Sequence, residues 1–136
     1  MRKSYWLSGA RFTVHASHED TAGRYDLIEG GGPPGFQAPL HRHNRYAEQL
    51  YVVEGEFTVW AGKQTAVLHP GDAFTIPAGT AHTVAVTGDG PGRVSSPGRY
   101  PLSRMGRWMA VAAVLLPTVC QTPSGQPIAW KPLSGP

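Results

Sequence analysis

His41, His43, Glu48 and His82 are the residues whose types and spacing could do chemistry together, and the first three fall within eight positions. Imidazole nitrogen and carboxylate oxygen both bind divalent transition metals, so the group reads as one mononuclear metal site. Four protein ligands leave about one or two positions of a five- or six-coordinate ion open to a substrate oxygen or to dioxygen, as a reactive site requires. The set contains no thiolate, which disfavours structural zinc and leaves Fe(II), Mn(II), Ni(II), Co(II) and catalytic zinc as candidates, one ion per chain. Glu48 is also expected to act as catalytic base, loosening from the ion to take a proton from an enol or hydroxyl group of the substrate.

Each residue alone has an ordinary explanation. A His-x-His pair on a strand is commonly two solvated or hydrogen-bonded histidines, and His82, just after a proline-glycine turn, would by itself be a turn histidine. Glu48 opens the apolar segment EQLYVV, where an unpaired buried carboxylate would cost on the order of several kcal/mol. A divalent cation removes that cost. The combination, and no single member, points to metal.

The elements that must position these side chains are short strands. If Leu40 to Asn44 is extended, His41 and His43 lie two apart and point to one face. Glu48 to Val53 is expected as a strand with Glu48, Leu50 and Val52 on one face and Gln49, Tyr51 and Val53 on the other; both faces are largely apolar, which predicts burial on both sides. Glu56 to Trp60 and Gln64 to Leu68 form a hairpin about Ala61-Gly62-Lys63. Ala73 to Ile76 and His82 to Val86 follow, set off by the turns His69-Pro70-Gly71-Asp72 and Pro77-Ala78-Gly79-Thr80. Upstream, Arg11 to His15 and Arg24 to Glu29 alternate as strands, whereas Gly30 to Pro34 (GGGPP) is expected to be a loop leading into the histidines. Downstream, Ser95-Ser96-Pro97-Gly98 is expected to end any strand after Arg93 and Val94. Met105 to Leu116 is expected as a short helix with Met105, Trp108, Met109, Ala112 and Leu115 on one stripe.

Composition agrees with many short strands. Glycine (17) and proline (13) make up about 22% of the 136 residues, against roughly 12% in an average chain, and they recur as turn punctuation. One domain is expected, 1–116 including the helix, followed by a proline-rich extended tail, 117–136. A lone cysteine, Cys120, cannot form an internal disulfide, and the apolar run near the N-terminus is broken by Ser8, Gly9 and Arg11. A cytoplasmic protein without a secretion signal is the expectation. The longest apolar run, Trp108 to Leu116, is far short of the roughly 20 residues of a membrane span. Net charge is +3, yet the arginines are scattered and only three residues are lysine, with no helix-turn-helix or base-stacking pattern, so nucleic acid is not an expected partner.

The spacing resembles the two motifs of the cupin superfamily. Gly35, His41, His43, Glu48 and Gly55 meet the first motif in full; Gly71, Pro77, Gly79 and His82 meet the second, which ends here on Val86 where the family has asparagine. The motifs cover 52 residues and the looser resemblance runs from about Tyr5 to Val94. It implies an all-β, antiparallel jelly-roll barrel with a metal inside, held by His41, His43, Glu48 and His82. Small single-domain quercetin-dioxygenase-like cupins look most similar, through the GGGPPG loop and the wording AEQLYVVEGEFTV.

Period two places Leu50, Val52, Val84 and Val86 on the lumen face, with Phe36, Tyr46 and Phe74 nearby. Any one of them can be plain barrel core. If several line a cavity, the ligand is a small flat or hydrophobic molecule, because no arginine or lysine falls on that face. The resulting expectation is a metal-dependent dioxygenase acting on an enolisable aromatic (flavonol-like) or diketone substrate. The alternatives are a non-redox isomerase, cyclase or decarboxylase and a non-catalytic small-ligand-binding cupin. A homodimer is expected, because the apolar Tyr5-Trp6-Leu7 segment and the sheet edges invite a second copy.

Overall fold

The computed structural model describes residues 3–7, 9–98 and 120–121. The helix expected over Met105 to Leu116 and most of the tail 117–136 lie outside the described residues. Every described element is a strand and every pairing is antiparallel, as expected.

Six strands make the larger sheet: β1 (Lys3–Leu7), β2 (Ala10–Ala16), β3 (Asp26–Gly32), β5 (Glu48–Glu54), β8 (Ala73–Ile76) and β10 (Gly92–Gly98), in the order β1-β2-β3-β10-β5-β8. Three make the smaller one, β6 (Phe57–Ala61), β7 (Gln64–Leu68) and β9 (His82–Val86), with β6 in the middle. The short β4 (Arg42–His43) pairs with β11 (Cys120–Gln121), so two residues of the tail run along the strand that bears His43. Backbone bridges Gln37↔Ala85 and His41↔His82 lay the segment before β4 along the free flank of β9.

The core lies between the two sheets. Leu50 and Val52 of β5, Ile76 of β8 and Val94 of β10 meet Phe57, Val59 and Ala61 of β6, Leu68 of β7 and Val86 of β9. Each fully buried aliphatic side chain contributes roughly 1.5–3 kcal/mol. Register makes this packing specific: Leu50 pairs with Phe74 and Val52 with Val94, so a one-residue slip would turn β5 inside out.

Three expectations need correction. Gly30 to Gly32 are not loop but the end of β3: Gly30 and Gly31 pair with both β2 and β10, and Gly32 pairs with β10. Glycine is required there by close approach: a Cβ on Gly32 would stand 2.8 Å from Phe36 Cγ. The strand after Val94 does not stop at Ser95 but continues as β10 through Pro97 to Gly98. Its pairing with β5 covers only Arg93 to Ser95, so at Pro97 one flank of the ladder is already open and the missing N–H costs little. Third, β5 has a strand on each side in its sheet but is not buried on both faces, because Tyr51 (48% exposed) and Val53 lie on the outer side. Nothing in the described chain layers over that face, and apolar residue type alone did not reveal this.

Candidate metal centre

Three segments deliver the four candidate ligands: His41 and His43 come from the β4 stretch, Glu48 from the start of β5 and His82 from the start of β9. The backbone amide of His41 donates to the His82 carbonyl (3.0 Å) and that of His82 to the His41 carbonyl (2.8 Å), which sets the two rings side by side at 4.3 Å between centroids. His43 lies two residues on, its ring 4.8 Å from that of His41. The turn before β9 is pinned to β4 because the Gly79 amide donates to the His43 carbonyl at 2.7 Å, and Gly79 holds a φ of 80° that a side chain would resist. Glu48 opens β5 opposite Ile76, on the same side of the strand as the buried Leu50 and Val52. Opposite His82, β6 places the small Ala61.

The side chains converge. One ligand atom from each of His41, His43, Glu48 and His82 lies within 4.8 Å of all the others. Glu48 Oε2 is 2.9 Å from His82 Nε2 and 3.1 Å from His43 Nε2. The outer ring nitrogens are held as well: His41 Nδ1 lies 2.6 Å from the Pro39 carbonyl, His82 Nδ1 2.8 Å from the Thr80 carbonyl, and His43 Nδ1 2.8 Å from the Tyr46 hydroxyl.

Carbonyl oxygens only accept, so Nδ1 of His41 and of His82 must carry a hydrogen. A neutral ring then has its lone pair on Nε2. For His82 that lone pair would face the Glu48 carboxylate at 2.9 Å, acceptor against acceptor, unless a positive charge lies between them. A proton can supply it. Burial opposes a charge on His82, but the hydrogen bond and the charge of Glu48 outweigh burial and raise its pKa. Burial would likewise raise the Glu48 carboxyl, yet the hydrogen bonds from His43 and His82 hold it well below the usual carboxylate range. His41 goes the other way. Burial, with the neighbouring His82 and His43, lowers its pKa to about 4, which leaves Nε2 with a free lone pair at neutral pH. Two rings with fixed tautomers, a third beside the same oxygen and an ionised carboxylate form a donor set that could hold a divalent cation.

Residues 32–96 match the sequence profile of the cupin domain. These residues form a cupin domain. They contain all four converging side chains. Over 70 residues the chain is 34% identical to the quercetin 2,3-dioxygenase of Bacillus subtilis (strain 168), an alignment that spans 52% of this chain and 21% of that much longer relative. Among solved structures, a cupin-2 domain protein of Rhodospirillum rubrum superposes with a TM-score of 0.62 at 18% identity, covering 72% of this chain and 68% of the other. The polyketide cyclase RemF of Streptomyces resistomycificus superposes with a TM-score of 0.61 at 23% identity, covering 71% and 72%. Both structural likenesses speak to the fold.

The lining expected of the cupin lumen divides in two. Leu50, Val52 and Val86 are sealed into the core. Phe36, Phe74 and Val84 are only partly buried and pack against that core, so they keep some surface to offer. Tyr46 lies beside His43, with ring centroids 4.5 Å apart. The hold on His43 is the feature that motif spacing did not announce. Its signal was an aromatic hydroxyl three residues past a candidate ligand. Nothing in the sequence could have indicated the Pro39 and Thr80 carbonyls.

Proposed function

We propose that this cupin domain is a metal-dependent dioxygenase acting on a small enolisable aromatic or diketone substrate, with His41, His43, Glu48 and His82 holding one divalent transition metal. The reading is carried by the convergence of the four side chains, one ligand atom from each lying within 4.8 Å of all the others. The sequence likeness to a quercetin 2,3-dioxygenase supports the substrate class. When bound, such an ion supplies a Lewis acid with positions open to a substrate oxygen and to dioxygen.

This chain's residues supply the rest. The carbonyls of Pro39 and Thr80 keep the His41 and His82 rings aimed inward. Phe36, Phe74 and Val84 offer apolar surface to a flat substrate. Glu48 takes the proton of the substrate hydroxyl on a carboxylate oxygen, which requires its contacts to His43 and His82 to loosen as substrate arrives.

Oxygen uptake tests the reading. Metal-free protein reloaded separately with Fe(II), Mn(II), Ni(II) or Co(II) is mixed with flavonols and diketones, and substrate loss should match oxygen consumed. Glu48→Gln should lower that rate about 100-fold or more, the scale of general-base loss. Substrate turnover without oxygen consumption would favour the isomerase, cyclase or decarboxylase reading. Binding without turnover would favour a ligand-binding module.

A further inference from the structure

The three histidines of the site are held from behind by two kinds of partner. Carbonyl oxygens hold His41 and His82, and such partners can accept a hydrogen but never give one. His43 instead meets the Tyr46 hydroxyl at 2.8 Å, a group that can do either. The difference bears on how each ring reaches the form that binds a metal. In His41 and His82 the backbone already forces the hydrogen onto Nδ1. In His43, Nε2 faces the acceptor Glu48 Oε2 at 3.1 Å, a contact that favours a hydrogen on Nε2 and leaves Nδ1 to accept the tyrosine hydrogen. That is the wrong tautomer for a ligand, which needs the Nε2 lone pair.

We propose that Tyr46 is a positioning residue of this centre, its hydroxyl donating to His43 Nδ1 in the metal-free protein and turning to accept from Nδ1–H once Nε2 is a ligand. The inference rests on the metal-centre reading above. A rotating hydroxyl serves both tautomers without moving a heavy atom, whereas a carbonyl could serve only one. The ring that carries it is anchored independently of the site: Tyr46 packs against Ile28 of β3 beside Phe12 and Val14 of β2. It also lies nearly parallel to the imidazole, 21° between planes. Packing thus fixes where the oxygen sits, and rotation about the C–O bond decides what it does.

Tyr46→Phe removes the hydroxyl and keeps the ring. Titrating metal-free protein with Co(II), the variant's dissociation constant should rise about 10- to 100-fold, the usual cost of losing the partner behind a ligating histidine, and the visible spectrum of the bound ion should shift. In metal-free wild type, nitrogen NMR should find the His43 hydrogen on Nε2, moving to Nδ1 when the metal-free protein is saturated with diamagnetic Zn(II). A Tyr46→Phe affinity within about twofold of wild type, with an unaltered spectrum, would overturn the role of Tyr46 while leaving the centre intact. Wild type that binds no Co(II) at all would overturn both. Should the variant fold poorly, the wild-type NMR result decides: a His43 hydrogen already on Nδ1 without metal would contradict the switch.

Discussion

The Nε2 atom of His82 faces Glu48 Oε2 at 2.9 Å while Nδ1 is tied to the Thr80 carbonyl, so a proton and a metal ion compete for one position. The competition has a definite sign. Glu48 raises the pKa of His82 above its ordinary value of about 6.5, so lowering the pH fills the position with a proton and raising it clears the lone pair for metal. His41 does not share in this near neutrality, since its pKa lies at about 4. Metal affinity should therefore be weaker at pH 6 than at pH 8, because a proton must be displaced from His82 as the ion binds. Isothermal titration at the two pH values checks this. Equal affinities would mean that His82 takes no part in binding.

At the scale of elements, the turns are as specific as the strands. Gly55 separates β5 from β6 with a φ of 78°, and a Cβ there would stand 2.5 Å from the Pro91 carbonyl oxygen. A side chain meets both a strained backbone and a rigid obstacle. Gly55→Ala should thus destabilise the fold by about 2 kcal/mol or more, read as a lower denaturant midpoint with an unchanged slope. A midpoint equal to wild type would show that the turn can relax. The role of Gly55 was legible in the sequence because motif spacing counts residues between fixed points, and so was the convergence of His41, His43, Glu48 and His82. Period two likewise identified β5 to β9 and the inward side of Leu50 and Val52. What escaped depends on neighbours distant in sequence. Gly30 to Gly32 read as loop because glycine has low strand propensity, yet Phe12 and Phe36 need the space a side chain would fill. Pro97 read as a terminator, yet its open flank is set by how far β5 extends beside it. Tyr51 and Val53 read as buried because apolarity does not say which face another layer covers.

Across the whole molecule, the outer face of the larger sheet carries exposed apolar surface that the cupin domain itself does not cover. Trp6 is 76% exposed on the edge strand β1, and Tyr51 and Val53 lie on the same sheet. An edge strand with an exposed aromatic residue is open to pairing with another chain. The protein is accordingly expected to be a homodimer: light scattering at micromolar concentration should give twice the 14.6 kDa chain mass, and Trp6→Ser should lower it. A mass of 14.6 kDa for wild type would count against the second copy. No helix among the described residues is long and apolar enough to cross a membrane. A cytoplasmic location stays a proposal, checked by fractionation of the producing cells. Elemental analysis of the purified protein tests whether four side chains, brought together from three segments, hold one ion. Wild type should carry about one divalent transition metal per chain and His82→Ala little, since an incomplete set binds poorly. Metal-free wild type that takes up none on reloading, or a His82→Ala variant with unchanged content, would contradict that expectation.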